Sequence, residues 1–173
     1  MGSGRCHNIP SRNVSRAGHR VFSDSILRAL RSAHVLAAIL FVGNVIVTGV
    51  WSALLFRQRT SFDFRFAARA IVVTDWVFTL GGAVLLVASG VTMAVGRGYP
   101  MWETRWIREA MLGLLASTTI WVLVLIPAQR RMLRLGADQD DELRRVYQRW
   151  NLAGWLAAVP LLWSLWCMTY KPT

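Results

Sequence analysis

Six side chains in this sequence could carry chemistry if folding brought them together: His34, Asn44, Asp75, Glu109, Cys167 and Met168. A histidine and a methionine can hold haem iron between them, and His34 with Met168 would form such a pair if both lie near one face of a membrane. Two-histidine ligation would have to recruit His7 or His19, both near the N-terminus. Zinc or iron needs several converging ligands, and Cys6 and Cys167 have neither metal nor disulfide spacing. A polar stripe of Asn44, Thr118 and Thr119 could line a solute or ion pathway. Each residue also has a plainer role. His34 would hydrogen-bond to Tyr170, Glu109 or water. Asn44 would bond across helices to Thr118 or Thr119. Asp75 would be a helix-terminal acid beside Arg57, Arg130 or Arg131, as Glu109 would be at the opposite end. Cys167 would be a small packing residue. The plainer roles fit each position better, so no catalytic residue and no cofactor is expected, with haem on His34 and Met168 as the alternative.

The elements that must position these residues follow from where charge is missing. None of the 29 formally charged residues falls in 33–56, 76–96, 110–128 or 151–170. A soluble helix needs a polar face, whereas a hydrocarbon layer of about 30 Å needs about 20 apolar residues. The chain therefore reads as all-α: a basic tail over 1–24, expected to be disordered, and a four-transmembrane-helix bundle over 25–173. Six of the nine tryptophans (Trp51, Trp76, Trp102, Trp106, Trp150, Trp166) fall at or near a span end, where indole favours the membrane–water boundary. The first apolar run is too long for a cleaved signal peptide and reads as a retained span. With no acid at any span centre, proton-coupled transport is not expected.

The connectors carry the charge. Ser23, Asp24 and Ser25 suit a helix start. Residues 57–73 interleave Phe62, Phe64 and Phe66 with arginine, as a segment lying in the interface would. Gly98 and Pro100 break the second connector, 97–109, which offers Tyr99, Trp102 and Trp106 to the headgroups. Residues 129–149 look helical on both sides of a turn at Gly136-Ala137-Asp138, with Asp140–Arg144 and Asp141–Arg145 as acid-before-base pairs. Small-xxx-small spacings at Gly49/Ala53, Gly90/Ala94, Gly113/Ser117 and Gly154/Ala158 would let helices approach closely. Pro160 should kink the last span.

A net charge of +11 would suggest nucleic acid in a soluble protein. Here the basic residues flank the spans, which points to anionic lipid and away from nucleic acid. Further partners would be a second copy of the chain or other membrane proteins. Each side of the membrane receives ten basic residues, but setting aside Arg5 and Arg12 in the tail leaves eight against ten. The rule that positive charge stays inside then places both termini outside the cytoplasm. Arginine supplies 19 of the 20 basic residues, a bias suggesting a GC-rich bacterial genome and hence a bacterial cytoplasmic membrane.

Several segments in order resemble a known family. They are Ala33-His34-Val35-Leu36 followed by Gly43-Asn44, Thr74-Asp75-Trp76-Val77-Phe78-Thr79, Gly98-Tyr99-Pro100, Arg130-Arg131, and Cys167-Met168-Thr169-Tyr170-Lys171-Pro172. Over roughly residues 27–172 the chain is similar to the bacterial predicted integral membrane proteins of domain of unknown function 2269. The resemblance implies a four-span bundle and no particular chemistry. The longer Arg-rich tail departs from that pattern. Through His34 alone there is a looser likeness to four-helix families around copper resistance and protoporphyrinogen oxidation, from which no activity is carried over.

Overall fold

Four long helices carry almost all of the chain in the computed structural model, which describes residues 22–59, 61, 64–135 and 139–172. The tail up to residue 21, Phe62 and residues 136–138, where a turn is expected, lie outside the described residues. The helices are α1 (Asp24–Arg57), α2 (Phe64–Gly96), α3 (Arg105–Arg134) and α4 (Asp140–Tyr170), and each is long and apolar enough to cross a membrane. The start of α1 is set by Ser23, whose hydroxyl accepts from the Ile26 N–H at 3.5 Å. At the other end of the second span Gly98 takes a positive φ of 67°. Tyr99 N–H then reaches back to the Ala94 carbonyl and Gly98 N–H to that of Val95, the glycine-dependent helix stop that the sequence placed there.

The helices hold 34, 33, 30 and 31 residues, well beyond the roughly 20 that a bilayer core requires. The excess of α2 and α4, with the last turns of α3, gathers at one end, where it packs with the end of α1 into a core; the excess of α1 lies at the opposite end. Phe64, Ala67, Ala68 and Ile71 of α2 meet Met132 of α3 and Leu143, Val146, Tyr147 and Trp150 of α4. Phe56 of α1 stacks on Tyr147 with ring centres 3.8 Å apart. Arg59 closes this end with a two-pronged bond to Asp140, at 2.8 and 2.9 Å, and Arg131 pairs with Glu142.

Three expectations change here. Residues 64–73 do not lie flat in the interface; they are the first turns of α2, because Phe64 finds a better burial site against Tyr147 than headgroups offer. Asp140 keeps the electrostatic attraction of Arg144 four residues on, but its bidentate bond goes to Arg59 across the bundle. Trp150 is a core residue, 5% exposed, whereas Trp51, Trp102 and Trp166 remain exposed as boundary residues.

The bundle is two tight pairs, α1 with α2 and α3 with α4, joined less extensively to each other. Small residues set both pairs. The Ser117 hydroxyl donates to the Ala157 carbonyl at 2.7 Å, and Ser164 donates to the Ala110 carbonyl at 2.9 Å. Between them Gly113 lies so close to α4 that an added Cβ would stand 2.6 Å from the Pro160 carbonyl oxygen. At Gly43, in the middle of α1, an added Cβ meets nothing within 4 Å.

Gly113→Ala should therefore force α3 and α4 apart and cost about 1–3 kcal/mol, read as a lower melting temperature in detergent. Gly43→Ala should leave the melting temperature unchanged or raise it slightly, since glycine inside a helix costs about 0.5–1 kcal/mol relative to alanine. Equal effects at both positions would contradict the packing.

Candidate functional site

Sequence placed Asp75 at the mouth of the second span, but α2 begins at Phe64 and carries Asp75 eleven residues along. The side chain is only 7% exposed. Its Oδ1 accepts from Asn44 Nδ2 of α1 at 3.2 Å and from Thr79 Oγ1 at 3.3 Å. Its Oδ2 accepts from Gln129 Nε2 of α3 at 2.5 Å. Asn44 also donates to Thr79 Oγ1 at 2.9 Å and accepts from Thr48 Oγ1 at 3.5 Å. The Trp121 indole N–H faces the same carboxyl without reaching hydrogen-bond geometry. One carboxyl thus ties three helices together, and every partner is uncharged.

Two expectations are corrected by this cluster. Asp75 does not pair with Arg57, Arg130 or Arg131. Asn44 does not bond Thr118 or Thr119, because the stronger acceptor on α2 lies within reach of its amide. Thr119 instead donates to the Leu115 carbonyl of its own helix, at 2.8 Å, on an exposed face. A pathway lined jointly by Asn44, Thr118 and Thr119 is therefore not assembled. The interior of the bundle does hold an acid, at a level between Asn44 of α1 and Gln129 at the end of the apolar run of α3. Asn44 is the middle of the first apolar run, and Asp75 shares a cavity wall with Ser117, Thr118 and Ala157, all mid-span.

The backbone is irregular where this cluster forms. Asp75–Leu80 of α2 and Trp121–Leu125 of α3 are single stretches of π-helix, each a widened turn that re-aims the side chains around it. The two stretches face one another, with the Trp76 and Trp121 rings 6.1 Å apart. They border a cavity of about 100 Å³ whose wall includes Asp75, Thr79, Trp121, Trp150 and Trp155.

Of the remaining candidates, His34 ties α1 to α2. His34 Nδ1 sits 2.9 Å from the Leu86 carbonyl oxygen and 3.0 Å from Ser89 Oγ on α2. A carbonyl can only accept, so the proton is on Nδ1. The partners of Nδ1 therefore come from α2, and not from Tyr170 or Glu109. Gly90 is what admits the ring, since a Cβ there would lie 3.0 Å from His34 Cε1. Met168, on α4, is half-buried. Glu109 lies in the second turn of α3 with Arg108 Nη2 at 3.9 Å. Cys167 is fully buried. Among the described residues, no three His, Cys, Asp or Glu side chains converge as a metal site would require.

Gln129 was missed by the sequence reading because it abuts Arg130-Arg131 and looked like connector. A signal for the depth of Asp75 did exist. Residues 70–74, Ala-Ile-Val-Val-Thr, are uncharged, so the stretch free of basic residues runs from 70 to 96.

The family model described as "Predicted integral membrane protein (DUF2269)" matches residues 28–172. The chain belongs to that family. No curated protein and no solved structure matches it.

Asn44→Leu should lower the melting temperature, because Asp75 and Thr79, both buried, each lose a donor, at about 1–3 kcal/mol. Thr119→Val should leave it unchanged. The reverse ranking would restore the partner assignment expected from sequence.

Proposed function

We propose that this member of the DUF2269 family is a non-catalytic accessory bundle of a bacterial cytoplasmic membrane. The observation carrying this reading is the use to which its interior polar groups are put. Asn44, Asp75, Ser117, Ser164 and His34 each spend their hydrogen bonds on a neighbouring helix. Such bonds are worth on the order of 1 kcal/mol each in a membrane, and they set which helices meet and in what register. A nucleophile or general acid instead needs a polar atom presented to a substrate. Lipid is the partner of the outer surface, where α4 exposes Leu152, Trp155, Leu156, Val159 and Trp163. Part of that surface could equally receive a second copy or another membrane protein, which the mass of the purified particle decides.

The bacterial assignment rests on the arginine bias, 19 of 20 basic residues. Orientation rests on the basic end of the bundle. Arg57, Arg59, Arg65, Arg69, Arg130, Arg131, Arg134, Arg144, Arg145 and Arg149 all belong to the end closed by the first and third connectors. That end faces the cytoplasm, leaving both termini outside.

Purification from native membrane followed by absorption spectroscopy and mass measurement tests the reading. A particle of protein and lipid without a Soret band is expected. A stoichiometric Soret band lost in His34→Ala would replace the accessory role with a haem-linked one. For orientation, a C-terminal alkaline phosphatase fusion should be active and a C-terminal green fluorescent protein fusion dark; the opposite pattern inverts the topology.

A further inference from the structure

The geometry points to the cavity between the two π-helical stretches as a binding site for a small primary ammonium ion that also carries a hydrogen-bond acceptor, such as an amino alcohol. This goes beyond the accessory role and does not rest on it.

The polar side chains of the cavity wall are left unfinished in a complementary way. A carboxylate offers about four lone-pair sites, and Asn44, Thr79 and Gln129 occupy three of them on Asp75. One site on Oδ2 remains. All the neighbours of Asp75 are neutral, and a carboxylate taken out of water without a cation is costly. A proton or a bound cation removes that cost. On the same wall, the indole N–H of Trp150 is buried without an acceptor, and Trp150 is 5% exposed overall; that of Trp121 is directed at Asp75. A buried donor without an acceptor is rare and is usually matched by water or a bound molecule. The rings of Trp121, Trp150 and Trp155 line the cavity as well, and indole faces attract ammonium groups.

An occupant would therefore present a positive donor to Asp75 and an acceptor to the Trp150 indole. A simple metal cation supplies only the first, and an anion only the second. Size narrows the class further. The cavity of about 100 Å³ is smaller than the ~150 Å³ cavity that takes up benzene, which limits the occupant to about four heavy atoms. Both π-helical stretches border the cavity, and each brings one polar member of the site, Asp75 or Trp121, to its wall. Widened turns of this kind recur at functional sites. The ammonium could come from a free solute or from an ethanolamine lipid headgroup, which share this chemistry.

The full-length protein in detergent can be titrated with ethanolamine while tryptophan emission is followed. Ethylene glycol, with the same number of heavy atoms and no charge, and choline, with more, serve as comparison probes. Ethanolamine should produce a saturable change that neither of the others reproduces. Asp75→Asn should weaken the response at least tenfold. Trp150→Phe, which keeps an aromatic ring but loses the N–H, should weaken it severalfold. Should Asp75→Asn not fold, the Trp150→Phe variant and the ethylene glycol comparison decide. The site is overturned if ethanolamine gives no saturable change, if ethylene glycol matches it, or if both folded variants respond like the wild type. Repeating the titration in vesicles of phosphatidylethanolamine and of phosphatidylcholine separates the sources. Loss of the response only in the former assigns the site to the lipid headgroup, and an equal response in both assigns it to the free solute.

Discussion

A carboxyl group buried among membrane helices is cut off from bulk water, so its surroundings must do the work of solvent. Asp75 meets that demand by drawing an amide from α1, a hydroxyl from its own helix and a second amide from α3. The arrangement fixes much else. Asn44 and Thr79 must stay level with each other, α3 must extend far enough for Gln129 to reach inward, and α2 must widen its turn at Asp75–Leu80. Removing one donor leaves a buried acceptor unmatched, which is why such a cluster sets register more firmly than apolar packing does.

The remaining contacts distribute that register along the bundle. At one end His34 fixes α1 against α2 through Leu86 and Ser89. Midway, Gly113, Ser117 and Ser164 hold α3 against α4 at close approach. At the other end Ser52 approaches Tyr147 to 3.4 Å, and Arg59 reaches Asp140, so the α1–α4 seam closes outside the apolar spans. Because lipid tails are as apolar as leucine, small residues and polar ties are the means by which such helices choose partners.

How legible this was from sequence depends on the kind of signal. The four spans were readable because a charge is too costly to leave in hydrocarbon, and their absence from 33–56, 76–96, 110–128 and 151–170 is a one-dimensional fact. The helix stop at Gly98 was readable because glycine alone takes that backbone shape cheaply. Membership in DUF2269 was readable from ordered short segments such as Thr74 to Thr79. The site was not. Treating Asp75 as a boundary assumed that charge marks the edge of a span, and that fails when buried amides replace water. Which acceptor Asn44 would choose depended on helix neighbours, since Thr118, Thr119 and Asp75 are all at compatible depths. The π-helical turns have no sequence signature, so the cavity they border could not be anticipated. Phe64 and Trp150 read as interface aromatics in one dimension, because burial in an extension of the same bundle leaves the same sequence pattern.

The central claim is that Asp75 is held inside the bundle by amides and not at its edge by arginine. Double-mutant cycles on reversible unfolding in detergent test this directly, pairing Asp75→Ala with Asn44→Ala, with Gln129→Ala and with Arg130→Ala. Coupling of about 0.5 kcal/mol or more is predicted for Asn44 and Gln129, and none for Arg130. Coupling to Arg130 with independence from both amides would contradict the account.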